Sequence, residues 1–90
     1  MQAFTKAIEI YDWLIESYPD FEKVPQAMFL KGFTLDNDLR RLEEAREIYE
    51  AFIAHYPQDD FADDAQFLLD NLGKSDEEII KAFDDQQAEQ

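Results

Sequence analysis

The stretch AREIYEAFIAHYP, residues 45–57, decides the fold because it occurs twice in altered form. Shifted back by 38 positions it overlies AIEIYDWLIESYP, residues 7–19. Ala45, Glu47, Ile48, Tyr49, Ile53, Tyr56 and Pro57 then fall on Ala7, Glu9, Ile10, Tyr11, Ile15, Tyr18 and Pro19. The correspondence continues past the proline, with Ala65, Phe67 and Leu68 over Ala27, Phe29 and Leu30. Self-similarity at a fixed period of this size marks stacked helical hairpins, in which each unit buries its apolar face against the next.

Working outward, each copy reads as a helix closed by its proline. In the first, Phe4, Ala7, Ile8, Tyr11, Leu14, Ile15 and Tyr18 recur at three- and four-residue steps and form one apolar stripe. Ile10 and Trp13 lie off that stripe, on nearly the opposite side. Pro19 and Pro57 stop the two helices, because the residue before a proline avoids the helical region. Between the copies, Val24 to Leu35 is apolar on two sides, which predicts a helix packed on two sides. Gly32 lies within it at a cost of about 1 kcal/mol against alanine, so close approach of a neighbouring helix is expected there. Asp36, Asn37 and Asp38 read as a turn, with Asp20 as a cap and Pro25 in the first turn of the second helix. After the second copy, Phe61, Ala65, Leu68, Leu69 and Leu72 form another core face. Gly73 reads as a left-handed C-terminal cap, and Ser75 with Glu78 as a capping box. The expectation is an all-α chain of about five helices, near 2–17, 21–36, 40–55, 59–71 and 75–85. They form a single domain over 1–90 with a frayed tail at 86–90, and sequential helices are antiparallel neighbours because the connections are short.

Composition narrows the class. With 46% apolar and 14% aromatic residues the chain has enough apolar surface to fold, and only two glycines and three prolines leave little room for a many-turned β fold. Twenty-two acids against eight bases give a net charge of −14, which makes nucleic acid or anionic lipid a repulsive partner. There is no cysteine, which excludes disulfides and thiolate chemistry. No apolar run approaches the roughly 20 residues needed to span a bilayer, so no direct membrane insertion is expected.

Reactive constellations do not stand out. Asp59, Asp60, Asp63 and Asp64 are dense, but the glycine turn and terminal bidentate acid of a calcium loop are missing; they read as favourable charge at a helix N-terminus. His55 is the only histidine, which makes a zinc site within one chain improbable. Ser17 and Ser75 lie in no nucleophile motif, and two isolated glycines make no phosphate loop. The four tyrosines read as core and closing residues. No catalytic residue, metal ligand or cofactor is therefore expected. Lys31 is a cation in a mostly apolar position. It either reads an acidic group of a partner or lays its stem on Met28 and Leu35 and pairs with a local acid. Ile10 and Trp13 are read as a contact surface for an upstream helix, a second copy or a partner, against an ordinary exposed aromatic.

The pattern resembles the tetratricopeptide repeat family. Ala7, Tyr11 and Pro19, then Ala45, Tyr49 and Pro57, sit at that family's alanine, aromatic and proline spacing in its second helix. Ala27, Phe29 and Gly32, followed by Leu42, resemble its first helix. Asp70 replaces the glycine in the next copy, Lys31 stands where the family has an apolar residue, and the period is 38 rather than 34. The resemblance implies a short right-handed solenoid acting as a non-catalytic protein–protein interaction scaffold. Its partner, a protein or peptide, would meet the groove at Phe29, Lys31, Phe33 and Phe67. The closings Tyr18-Pro19 and Tyr56-Pro57, and the ending from Asn71 to Phe83, are similar to those of bacterial envelope members, which implies a periplasmic or outer-membrane-associated setting. In this phase the chain opens on a second-type helix without its partner, so upstream repeats are one expectation. The alternative is self-association as a homodimer through Ile10 and Trp13.

Overall fold

The computed structural model describes residues 2–74 together with 77, 78, 80, 81, 84 and 85. Among these residues there is no strand, and four α-helices are delimited where the sequence predicts about five: α1 (Gln2–Ser17), α2 (Val24–Phe33), α3 (Leu42–His55) and α4 (Ala62–Asp70). Of the fifth expected helix, near 75–85, the described residues 77, 78, 80, 81, 84 and 85 are helical; its Ser75 cap and the Ile79 and Phe83 edge lie outside the described residues, as does the tail 86–90. Each helix packs on the next, so α2 is covered by α1 and α3, and α3 by α2 and α4.

The repeat seen in the residues reappears in the backbone. Tyr18 N–H donates to the Leu14 carbonyl at 2.9 Å, and Tyr56 N–H to that of Phe52 at 2.8 Å. Phe21 then donates to Tyr18 at 3.0 Å and Asp59 to Tyr56 at 3.1 Å, followed by Val24 to Phe21 and Ala62 to Asp59, both at 3.0 Å. Every one of these pairs is separated by the same 38 residues. These linked single turns consume the residues after each proline, so α2 begins at Val24 and α4 at Ala62, later than the sequence predicts. Asp20 makes no cap: the N-cap residue of α2 is Lys23, without a side-chain hydrogen bond, and Pro25 occupies the first turn as expected.

The core is centred on α3. Tyr49, Phe52 and Leu35 are its largest fully buried side chains, with Ala45 and Ala65 also at 0% exposure. The alanines are small where helices touch. Gly32 provides the closest approach: a Cβ there would lie 2.9 Å from Tyr49 Cε1 and 3.1 Å from Ile48 Cγ2, inside van der Waals contact. That is the compensation for a glycine in mid-helix.

The two ends of the first-type helices differ. At Asp36–Asp38 the sequence predicts a turn; the chain instead continues α2 as a π-helical turn, Thr34–Asp38, with Leu39 N–H donating to the Thr34 carbonyl at 3.0 Å. A π turn takes one more residue than an α turn, and this one carries Thr34 and Leu35 into the core. Arg40 then adopts a left-handed conformation at φ 55°, and Arg41 N–H closes on the Leu35 carbonyl at 2.7 Å. After α4 the left-handed residue is Gly73 at φ 83°, as its position predicts. Tyr18, expected as a core and closing residue, is 55% exposed, whereas its counterpart Tyr56 packs on Phe52 with ring centroids 5.7 Å apart.

Candidate partner-binding surface

Aromatic rings converge where α2 meets the start of α4. Phe29 is the hub: its ring lies 5.8 Å from that of Phe52 and 6.4 Å from that of Tyr49 on the inner side. On the outer side it stacks against Phe61 at 4.7 Å and 14°, and against Phe33 at 6.5 Å and 28°. Phe33 and Phe61 are each open to solvent over about a third of their surface, and Phe29 is buried. Phe29 thus stacks with two partly exposed rings, Phe33 and Phe61, while remaining buried itself. Exposed Asp60, Asp63 and Asp64 follow and flank Phe61 along the chain. The Asp59 carboxylate accepts the Phe61 N–H at 2.9 Å, holding the backbone at Phe61.

Of the four residues expected to meet a partner in the groove, Phe33 presents accessible ring surface and Phe67 is half-buried on α4. Phe29 is buried, enclosed by the rings of Phe33, Tyr49, Phe52 and Phe61. Of the two readings of Lys31, the structure shows the pair with a local acid: its ammonium meets Asp12 of α1, and its side chain is 21% exposed. The place of Phe61 in the apolar stripe of α4 predicts burial rather than a surface position. Its exposure follows from sitting ahead of the first helical turn, at the N-cap position. On the far side of the molecule Ile10 and Trp13 point outward, at 62% and 57% exposure. Trp13 packs edge-on against Tyr18 at 5.5 Å.

One polar contact inside the fold could not be read from the sequence. The Tyr49 hydroxyl donates to Asp36 Oδ2 at 3.1 Å, tying α3 to the π turn, and Arg40 sits 3.9 Å from the same carboxylate's other oxygen. Burial raises the Asp36 pKa, opposed by the Tyr49 hydrogen bond and the Arg40 charge. Burial also pushes the Tyr49 hydroxyl well above its ordinary range, reinforced by the Asp36 charge and hydrogen bond. The pair is a buried fastening between elements. Among the described residues no group of histidine, cysteine, aspartate and glutamate side chains is arranged to hold a metal ion, and no helix is long and apolar enough to cross a membrane.

Residues 26–59 match the profile of the tetratricopeptide repeat family. Over these 34 of its 90 residues the chain is similar to a tetratricopeptide repeat. The matched residues run from α2 through the π turn and α3 to the turn before α4, one complete hairpin that includes Gly32, Ala45, Tyr49 and Pro57. α1 and α4 lie outside the match and join the repeat through the 38-residue correspondence and the shared turn hydrogen bonds. No curated protein and no solved structure matches the chain. A tetratricopeptide repeat points to protein partners, and the family is generally non-catalytic.

Proposed function

We propose that this chain is a non-catalytic interaction scaffold whose α2–α4 face receives a basic peptide segment carrying an apolar anchor. The observation that carries the reading is the pair of partly exposed rings, Phe33 and Phe61, each stacked on buried Phe29, on a chain of net charge −14. Exposed aromatic surface held rigidly by a buried ring costs little ordering entropy on binding. A surrounding field of one sign favours a partner of the other. Phe67, half-buried on α4, is proposed as a further contact. The likeness of the Tyr-Pro closings to those of bacterial envelope members supports extending this reading to a cell-envelope assembly.

The test is selection from a displayed random peptide library against the whole chain. Selected peptides are expected to carry lysine or arginine beside an aromatic or aliphatic residue. They should lose binding to the Phe33→Ser plus Phe61→Ser variant while that variant keeps its helical circular dichroism. Peptides without this composition, or peptides that bind the folded double variant unchanged, would refute the proposal.

A further inference from the structure

Phe33 and Phe61 both stack on Phe29, yet they sit in different electrostatic surroundings. The Ala65 N–H donates to the Phe61 carbonyl at 2.8 Å, so 61–65 form a helical turn and Asp64 shares a side with Phe61. Asp60, Asp63 and Asp64 are all exposed, as is Phe61 itself at 37%. The sequence holds no lysine or arginine between Arg46 and Lys74. The ion pairs of the described residues use Lys31, Arg40, Arg41 and Arg46 and none of these three acids. Phe33 differs. Its neighbours at three and four residues are Phe29, Leu30, Asp36 and Asn37. Asp36 is the one acid among them, and its carboxylate already accepts the Tyr49 hydroxyl at 3.1 Å beside Arg40. Along the chain Phe33 lies between Lys31 and Arg40.

Resting on the scaffold reading above, we infer a division of labour between the two rings: Phe61 takes an arginine side chain of the partner segment, which leaves Phe33 for its apolar anchor. The cation belongs over Phe61 because carboxylates without a cation of their own stand within one helical turn of that ring. Near Phe33 the acid is engaged and the flanking charges are positive, which disfavours a second cation. The choice of arginine follows from the ring geometry. Phe61 lies nearly parallel to Phe29, at 14° with centroids 4.7 Å apart, so Phe29 covers one of its faces. A planar group is what extends such a stack. A guanidinium is planar and weakly hydrated, lies flat on an aromatic ring and offers two parallel N–H groups to a carboxylate; an ammonium is compact and strongly hydrated. Asp64 is the carboxylate placed for that pairing. The acids at the start of α4 thus act twice. They favour the positive end of the helix dipole, and beside Phe61 they set which cation the face selects.

The probes are acetyl-arginine amide and acetyl-lysine amide, each with one cationic side chain and no apolar anchor. They are titrated into the whole chain, isotope-labelled at its phenylalanine rings, and followed by NMR. The arginine compound should move the ring resonances of Phe61 more than those of Phe33 and bind roughly two- to five-fold more tightly than the lysine compound. Phe61→Leu and, separately, Asp64→Asn should each erase that preference while helical circular dichroism is retained. Equal binding of the two compounds, binding of neither, or larger shifts at Phe33 than at Phe61 would overturn the inference. So would a preference for arginine that survives in either folded variant. Peptide selection separates this result from failure of the scaffold reading. Selected peptides that need Phe33 and Phe61 but carry lysine as often as arginine leave the scaffold in place and remove the arginine assignment. A selection without basic peptides removes both.

Discussion

α1 and α3 are written in nearly the same residues and live in different surroundings. Ala45, Tyr49 and Phe52 on α3 are fully buried; Ala7, Tyr11 and Leu14, their counterparts on α1, are only half-buried. The difference lies in the neighbours. α3 is sandwiched between α2 and α4, whereas among the described helices α1 packs on α2 and the π turn. A helix pattern therefore specifies which face seeks burial, and the stack specifies whether that face gets it. Much of the stability of a solenoid is carried by such nearest-neighbour contacts.

The sharpest way to break this comparison is to cut the same position in both helices. Phe52→Ala should cost about 3–5 kcal/mol, a large share of the stability of so small a domain. Leu14→Ala should cost about 1–2 kcal/mol, because less apolar area leaves water there. Urea midpoints measure both, and equal losses would mean that α1 is as enclosed as α3. Next in size is Gly32→Ala. The gain in helix propensity is about 1 kcal/mol, but the new methyl must displace Tyr49 or Ile48, and overpacking of this kind costs about 1–3 kcal/mol. A net loss is expected; a variant more stable than the parent would show that the α2–α3 approach has slack.

Tyrosine hydroxyls give a smaller contrast with a signature in pH. Tyr49→Phe should cost about 1 kcal/mol at neutral pH, for loss of the Asp36 hydrogen bond, and Tyr11→Phe close to nothing. The folded state holds the Tyr49 proton more tightly than the unfolded chain, which ionises near 10.0. Its contribution is complete below that pH and is lost as pH rises beyond it. Tyr49→Phe should therefore remove part of the alkaline fall in stability, read by comparing unfolding midpoints on either side of pH 10. Asp36 also has a raised pKa in the fold, so its contribution falls as pH rises from 3.8 through the raised value. Relative to the parent, Asp36→Asn should gain ground across that window; a difference flat in pH would contradict the burial of the carboxylate. Smallest of all, Asp12→Asn should cost about 0.5 kcal/mol and less in high salt, since the Lys31 pair lies partly in water.

The residues by themselves determined a good deal. The 38-residue echo, the prolines at 19 and 57 and the mid-helix glycine at 32 announced helical hairpins with a close helix approach at Gly32. These are local properties: a period of three to four places the apolar face, and a proline or glycine acts on its own backbone. The outward set of Ile10 and Trp13 was legible for the same reason. Only the tertiary structure decided what each face meets. It buried Phe29 among four other rings, bound Lys31 to Asp12 across two helices, opened Phe61 to solvent, and joined Tyr49 to Asp36 through a π turn that no residue pattern had marked. Those outcomes depend on which helix arrives alongside and at what height, a distance between elements that the spacing within any one of them does not contain.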